Sequence, residues 1–147
     1  MPEEIGPAAA SPAAAIEQAE RWLESVRSAD GDESLSVTAL QGIRDLVGGN
    51  VEIEYVRAME TSRSKSTAPF DEAVKAAEKS DATLLFLGEE SILSGEAHSR
   101  ADINLPGAQA ELVQRVRAAG KPVIAVIMAG RPLTLTNIID NVDAILY

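Results

Sequence analysis

Ile124-Ala125-Val126-Ile127 is apolar at four consecutive positions inside the run 123–128. A strand with one wet face alternates apolar and polar side chains, whereas a strand covered on both faces has no need to. Three further short runs, 51–56, 83–87 and 144–147, carry β-branched or aliphatic residues, and the segments between them have helical spacing. Strands separated by helices imply a parallel sheet, because parallel neighbours are joined by a crossover. The expected fold class is α/β: a three-layer αβα sandwich with a mainly parallel sheet of about four to five strands and helices on both faces.

The helical segments have legible ends. Residues 70–79 place Phe70, Val74 and Ala77 on one face. Residues 106–119 open with Pro106 in the first turn, bury Leu112, Val113 and Val116, and end at Gly120. A helix over about 38–47 is ended by Gly48-Gly49, and another over 12–28 is capped by Ser11. The latter is alanine-rich, with an apolar stripe of Ile16, Ala19, Trp22, Leu23 and Val26, and Trp22 is read as packing rather than as a platform for a ligand.

Composition narrows the function classes. A chain of 147 residues, 46% hydrophobic and 3% aromatic, suits one compact domain with an aliphatic core. The lack of cysteine excludes a disulfide framework and thiolate metal sites. A formal charge of −10 repels phosphate backbones and anionic lipid, so neither nucleic acid nor membrane is an expected partner. No apolar segment approaches the roughly 20 residues that span a bilayer. Met1-Pro2-Glu3-Glu4 has no basic signal region. The chain as given is expected to be soluble and cytoplasmic, with a periplasmic or secreted parent left open.

The chemistry concentrates in one loop. Gly88-Glu89-Glu90-Ser91-Ile92-Leu93-Ser94-Gly95-Glu96-Ala97-His98-Ser99-Arg100-Ala101-Asp102 comes directly after the run 83–87, and a parallel strand delivers the loop at its end to the carboxyl edge of the sheet. Glu89, directly after the strand, is suited to tying down its own loop, while a general acid needs freedom to meet its substrate. Arg100 and Asp102 are read as loop architecture, the guanidinium bridging carboxylate and carbonyl groups, with direct ligand contact as the sharper alternative. His98, the sole histidine, has no partner set for a metal, and no metal or cofactor is expected. Gly130-Arg131-Pro132 also succeeds a strand, and Arg131 is expected to pair with a nearby carboxylate. Thr61-Ser62-Arg63-Ser64-Lys65-Ser66-Thr67 lacks the glycines of a phosphate loop and is read as a solvated or mobile connection.

From about residue 35 the chain resembles the C-terminal α/β sandwich domain of glycoside hydrolase family 3, the β-glucosidase and β-xylosidase group. The phrases that carry this are Ser36-Val37-Thr38-Ala39-Leu40-Gln41-Gly42-Ile43, Phe70-Asp71-Glu72-Ala73-Val74, Leu87-Gly88-Glu89 and Gly95-Glu96-Ala97-His98-Ser99-Arg100-Ala101-Asp102. Leu105-Pro106-Gly107-Ala108-Gln109, Gly120-Lys121-Pro122-Val123, Gly130-Arg131-Pro132-Leu133 and Val142-Asp143-Ala144-Ile145-Leu146 continue in the family's order. Residues 1–34 depart from the pattern: Ile5-Gly6-Pro7 resembles the end of a first strand whose apolar residues are missing, and the alanine-rich helix stands where the family has a loop. The division expected is an atypical segment 1–34 and a sandwich domain 35–147, truncated at its C-terminus.

The resemblance implies a retaining β-glucosidase that hydrolyses terminal β-D-glycosidic bonds. An aspartate on a TIM barrel would attack the anomeric carbon, and a glutamate from the sandwich domain would act as acid and then base. Glu96 is the best match for that acid/base and Glu89 the second choice; His98, Ser99, Arg100 and Asp102 are the substrate-binding candidates. The partners implied are a β-glucoside or oligosaccharide and the absent barrel, without which the chain is expected to be inactive alone. Self-association is expected unless the first helix covers the face a barrel or lost segments would bury. The alternatives are an engineered or stand-alone α/β scaffold, or a weak sugar-binding module without catalysis. A nucleotide-binding or receiver domain is disfavoured, since no Gly-rich turn comes after a strand at the required spacing and no aspartates cluster at strand ends.

Overall fold

The computed structural model describes residues 36–147 except Gly95. The expectations for residues 1–34, including the helix over 12–28 and Trp22, lie outside the described residues. The chain divides between Ile53 and Glu54 into two units. In the first, helix α1 (Ala39–Val47) begins where the Thr38 hydroxyl accepts the Gln41 amide at 3.2 Å. It stops at Gly48, whose φ of 57° suits glycine.

The second unit holds helix α2 (Phe70–Lys79), strand β1 (Thr83–Gly88), helix α3 (Gln109–Arg117), strand β2 (Val123–Met128) and strand β3 (Ala144–Leu146). All three strands are parallel in the order β1-β2-β3, with Leu85 opposite Ala125 and Ala125 opposite Ile145. The α/β sandwich on a parallel sheet is as expected, but the sheet has three strands among the described residues, not four to five. The missing one is 51–56, which forms no strand. Its β-branched residues are interrupted by Glu52 and Glu54, and such propensity makes a strand only where a neighbouring ladder and an apolar surface receive it.

One face of the sheet makes the core. Leu85 and Leu87 of β1 and Val123, Ala125 and Ile127 of β2 pack with Phe70 and Ala77 of α2 and Leu112, Val113 and Val116 of α3. Burying each large aliphatic side chain contributes about 1.5–3 kcal/mol. Acidic Asp71 and Glu72 in the first turn of α2 and Lys79 in its last turn suit the helix dipole. On the opposite face the in-register apolar side chains Leu84, Phe86, Met128 and Leu146 are exposed, so the helical layer expected on both faces is seen on one within this unit.

Two boundaries differ from expectation for a local reason. Helix α3 begins at Gln109 rather than Pro106, because Gly107 has a φ of 65° and cannot belong to a helical turn. A Cβ there would lie 2.5 Å from the Ser64 carbonyl oxygen, so the left-handed turn also permits close approach of the 62–64 backbone. Strand β1 runs one residue further, to Gly88, whose φ is 146° and whose Cβ would stand 1.8 Å from the Met128 carbonyl oxygen.

Candidate active site

Every strand of a parallel sheet ends on the same edge, and here that edge gathers the segments after β1 and β2 around one carboxylate. The Glu89 backbone amide continues the ladder by donating to Met128 O at 3.0 Å. Its side chain is wholly buried, and each oxygen takes one guanidinium: Oε2 accepts from Arg100 Nη1 at 2.5 Å and Oε1 from Arg131 Nε at 2.8 Å. A buried carboxylate between two cations is held in place, because freeing one partner would strand a charge away from water.

Both arginines carry the restraint outward. Arg100 Nη2 donates to Asn104 O at 2.9 Å, which is the carboxylate-to-carbonyl fork expected of it. Asp102 Oδ1 accepts from the Asn104 amide at 2.9 Å, and Asn104 Oδ1 accepts from the Thr134 hydroxyl at 2.5 Å. Arg131 pairs with a carboxylate as expected, and its Nη2 also donates to Leu93 O and, at 3.1 Å, to His98 O. The Arg131 backbone is fixed in turn by Tyr147, whose hydroxyl donates to Arg131 O and accepts from the Leu133 amide, both at 2.7 Å.

The remaining candidates are exposed. Glu96, His98, Ser99 and Asp102 all lie on the surface of this loop. Among the described residues the Glu96 carboxylate makes no hydrogen bond or ion pair, whereas the other loop carboxylates each have partners. Ala97, next to it, has a φ of 64°, a left-handed conformation that costs a non-glycine residue of order 1 kcal/mol and is kept only where the surroundings enforce it. Thus the structure brings Glu89, Arg100 and Arg131 together with the backbone of the loop, and leaves the side chains of Glu96, His98 and Ser99 facing solvent.

The segment 61–67 is a connection with Thr61, Arg63, Lys65 and Ser66 exposed, as expected of a solvated one, and its partly buried Ser62 and Ser64 tie it to the neighbouring loops. The Ser62 hydroxyl donates to Glu90 Oε2 at 2.8 Å and accepts the Glu90 amide at 3.2 Å, and Arg63 Nε adds a bond to the same carboxylate at 3.1 Å. The Ser62 hydroxyl and the Arg63 charge hold the Glu90 carboxyl below the usual glutamate range against the opposing effect of desolvation. Ser64 O accepts the Ala108 amide at 2.9 Å. The Ser64–Ala108 bond forms because Gly107 lets the two backbones meet, a tertiary fact that composition does not reveal.

Gln109 carries a structural role that the sequence alone does not assign to it. Its side chain is buried and bonds both backbone groups of Gly88, with Oε1 accepting from Gly88 N at 2.8 Å and Nε2 donating to Gly88 O at 2.7 Å. Nε2 also lies 2.9 Å from Ser62 O and 3.0 Å from Pro106 O. The available signal is its place on the stripe 109, 112, 113 and 116, where an amide among apolar residues needs polar partners. Tyr147 likewise looks, in sequence, like no more than the end of a strand.

Residues 5–147 match the glycosyl hydrolase family 3 C-terminal domain. The β-xylosidase of Formosa agariphila is 41% identical over 110 residues, covering 75% of this chain and 15% of that protein. The periplasmic β-glucosidase of Salmonella typhimurium is 34% identical over 138 residues, covering 81% of this chain and 18% of that protein. Among solved structures, the β-glucosidase of Listeria innocua in complex with isofagomine superposes with a TM-score of 0.62 at 32% identity, over 75% of this chain and 15% of that one. The chain therefore spans under a fifth of the length of these relatives. Sequence and fold agree that this protein belongs to the glycosyl hydrolase family 3 C-terminal domain family.

Proposed function

We propose that this domain supplies the acid/base loop of a retaining β-glycosidase that cleaves terminal β-D-glycosidic bonds, with Glu96 as the acid/base. The observation that carries this is the contrast within one loop. Glu96 is exposed beside a strained Ala97, while Glu89, Glu90 and Asp102 are engaged by arginine, serine and backbone groups. A general acid must reach the glycosidic oxygen, and Glu89, the other candidate, has both oxygens committed to guanidinium groups inside the fold.

Retaining hydrolysis needs a second carboxylate about 5–5.5 Å from the first, to attack the anomeric carbon. Each other loop carboxylate is already bound, so we assign the nucleophile to an aspartate on a barrel domain of the kind the family resemblance implies. His98 and Ser99 flank Glu96 as candidates for sugar hydroxyls, and Arg100 and Asp102 support the backbone that presents them. The relatives named as β-glucosidase and β-xylosidase support a glucoside or xyloside as substrate. On its own the domain offers half a cleft, which supports no more than weak sugar binding.

The test pairs this chain with a family barrel that carries the nucleophile and compares Glu96→Gln with the unsubstituted domain on two substrates. Loss of an acid should hurt an alkyl β-glycoside by about 10²–10⁴-fold. A nitrophenyl glycoside, whose leaving group needs no proton, should be cleaved to the covalent intermediate, and azide should restore turnover. Equal activity of the variant on both substrates would overturn the assignment, and a Glu89→Gln variant with the azide response would transfer it to Glu89.

A further inference from the structure

We infer that Arg131 is a positioning residue that sets where the Glu96 carboxyl is presented, an inference that rests on Glu96 being the acid/base. One guanidinium grips three things at once: the buried Glu89 carboxylate through Nε at 2.8 Å, and the carbonyls of Leu93 and His98 through Nη2. Leu93 and His98 lie on either side of Glu96, so the same nitrogen draws the two flanks of the loop together. The planar fork makes this possible, since a lysine ammonium in its place has no rigid pair of directions.

The anchor itself cannot drift. Its carboxylate partner is buried at the end of β1 and is held from its other side by Arg100, while the Tyr147 hydroxyl accepts from Leu133 N and donates to Arg131 O. The loop emerges from this clamp with Ala97 at a φ of 64°, a conformation that would relax if the flanks were free to separate. A displacement of about 1 Å at a reacting group can cost about a hundredfold in rate, so a clamp of this kind bears directly on catalysis.

The chain has no cysteine, so Glu96→Cys gives one site for a nitroxide label. Arg131→Lys in that background should sharpen the spectrum toward that of a mobile label. A label at Glu78→Cys, exposed on α2, should report no change in the same Arg131→Lys chain. Tyr147→Phe, which removes only the hydroxyl that fixes the Arg131 backbone, should move the residue-96 spectrum in the same direction by less, and it keeps the test readable if Arg131→Lys does not fold. An unchanged spectrum at residue 96, or an equal change at residue 78, would overturn the inference.

In a pairing with the barrel, Arg131→Lys should lower kcat by about a hundredfold with KM moved less than about threefold. Added to Glu96→Gln it should cause no further loss, because a misplaced acid and an absent acid are the same defect. Full additivity of the two losses would overturn the inference. Undiminished activity of Glu96→Gln alone would instead overturn the acid/base assignment, with the spectral result at residue 96 still reporting on the clamp.

Discussion

The Gln109 side chain pairs with the Gly88 backbone as a neighbouring strand would, accepting its N–H at 2.8 Å and donating to its carbonyl at 2.7 Å. Strand β1 thus ends in a bond made by a side chain from the first turn of α3, and the loop that carries Glu89 to Asp102 starts from a point fixed on both sides. Gln109→Leu keeps the volume but strands the Gly88 amide and carbonyl. Leaving buried polar groups unpaired costs about 1–3 kcal/mol each, and urea unfolding should show a loss at the upper end of that range or above it. Gln109→Glu should also destabilise, since a carboxylate cannot donate to Gly88 O or Ser62 O.

Gly88→Ala should be among the most damaging single changes. Its φ of 146° disfavours any side chain, and a Cβ would meet the Met128 carbonyl oxygen at 1.8 Å, so β1 and β2 must separate at their carboxyl ends. The expected result is little soluble protein, or a loss above about 4 kcal/mol. Gly49→Ala is the control: nothing lies within 4 Å of its Cβ position, and its stability should change by less than about 1 kcal/mol.

Glu89→Gln removes the charge between two guanidinium groups whose side chains are only 17% and 23% exposed. Removing one member of a buried ion pair typically costs about 3–5 kcal/mol, and these arginines keep some solvent, so about 3 kcal/mol is expected from urea unfolding. Limited proteolysis should then cut first within 91–98, the stretch Arg131 ties to Glu89. A stability equal to that of the unsubstituted chain would show that solvent already satisfies both arginines.

Acid should destabilise the domain through Asp143 and Glu90. The Val123 amide at 2.8 Å and then the Arg117 guanidinium at 2.6 Å hold the Asp143 carboxyl below its ordinary range, against desolvation that acts to raise it. Ser62 and Arg63 do the same for Glu90. Both native-state values lie below those of the unfolded chain, so the unfolded chain binds protons first as pH falls. The stabilisation is therefore complete above the ordinary carboxylate range near pH 4 and drains away as pH drops through the native values. Melting temperature followed from pH 7 to pH 3 should fall below about pH 5, and Asp143→Asn should flatten the fall.

The elements most legible in the sequence were those whose signal is local. Residues 70–79 and the run 123–128 fold where periodicity placed them, and Thr38 caps the helix expected over 38–47. Arg100 and Arg131 found the carboxylate partners that a guanidinium beside a carboxylate-rich loop invites. The run 51–56 failed as a strand because a strand is a relation between two segments, and its own residues say nothing about the second.

What the sequence by itself determined is the parallel α/β framework, because apolar runs and helix caps act within a few residues. It also placed the carboxylate-rich loop after β1, at the carboxyl edge where a parallel sheet collects its loops. Only the tertiary structure decided which carboxylate in that loop is buried and which is presented. Glu89, Glu90 and Glu96 are the same residue type within eight positions, and they differ in what reaches them: Arg131 from after β2, Ser62 and Arg63 from before α2, and for Glu96 solvent. Those partners are 42, 28 and 27 residues away from the carboxylates they engage, so their meeting is set by the close approach that Gly107 and Gly88 allow between backbones. No window of sequence read on its own contains that contact.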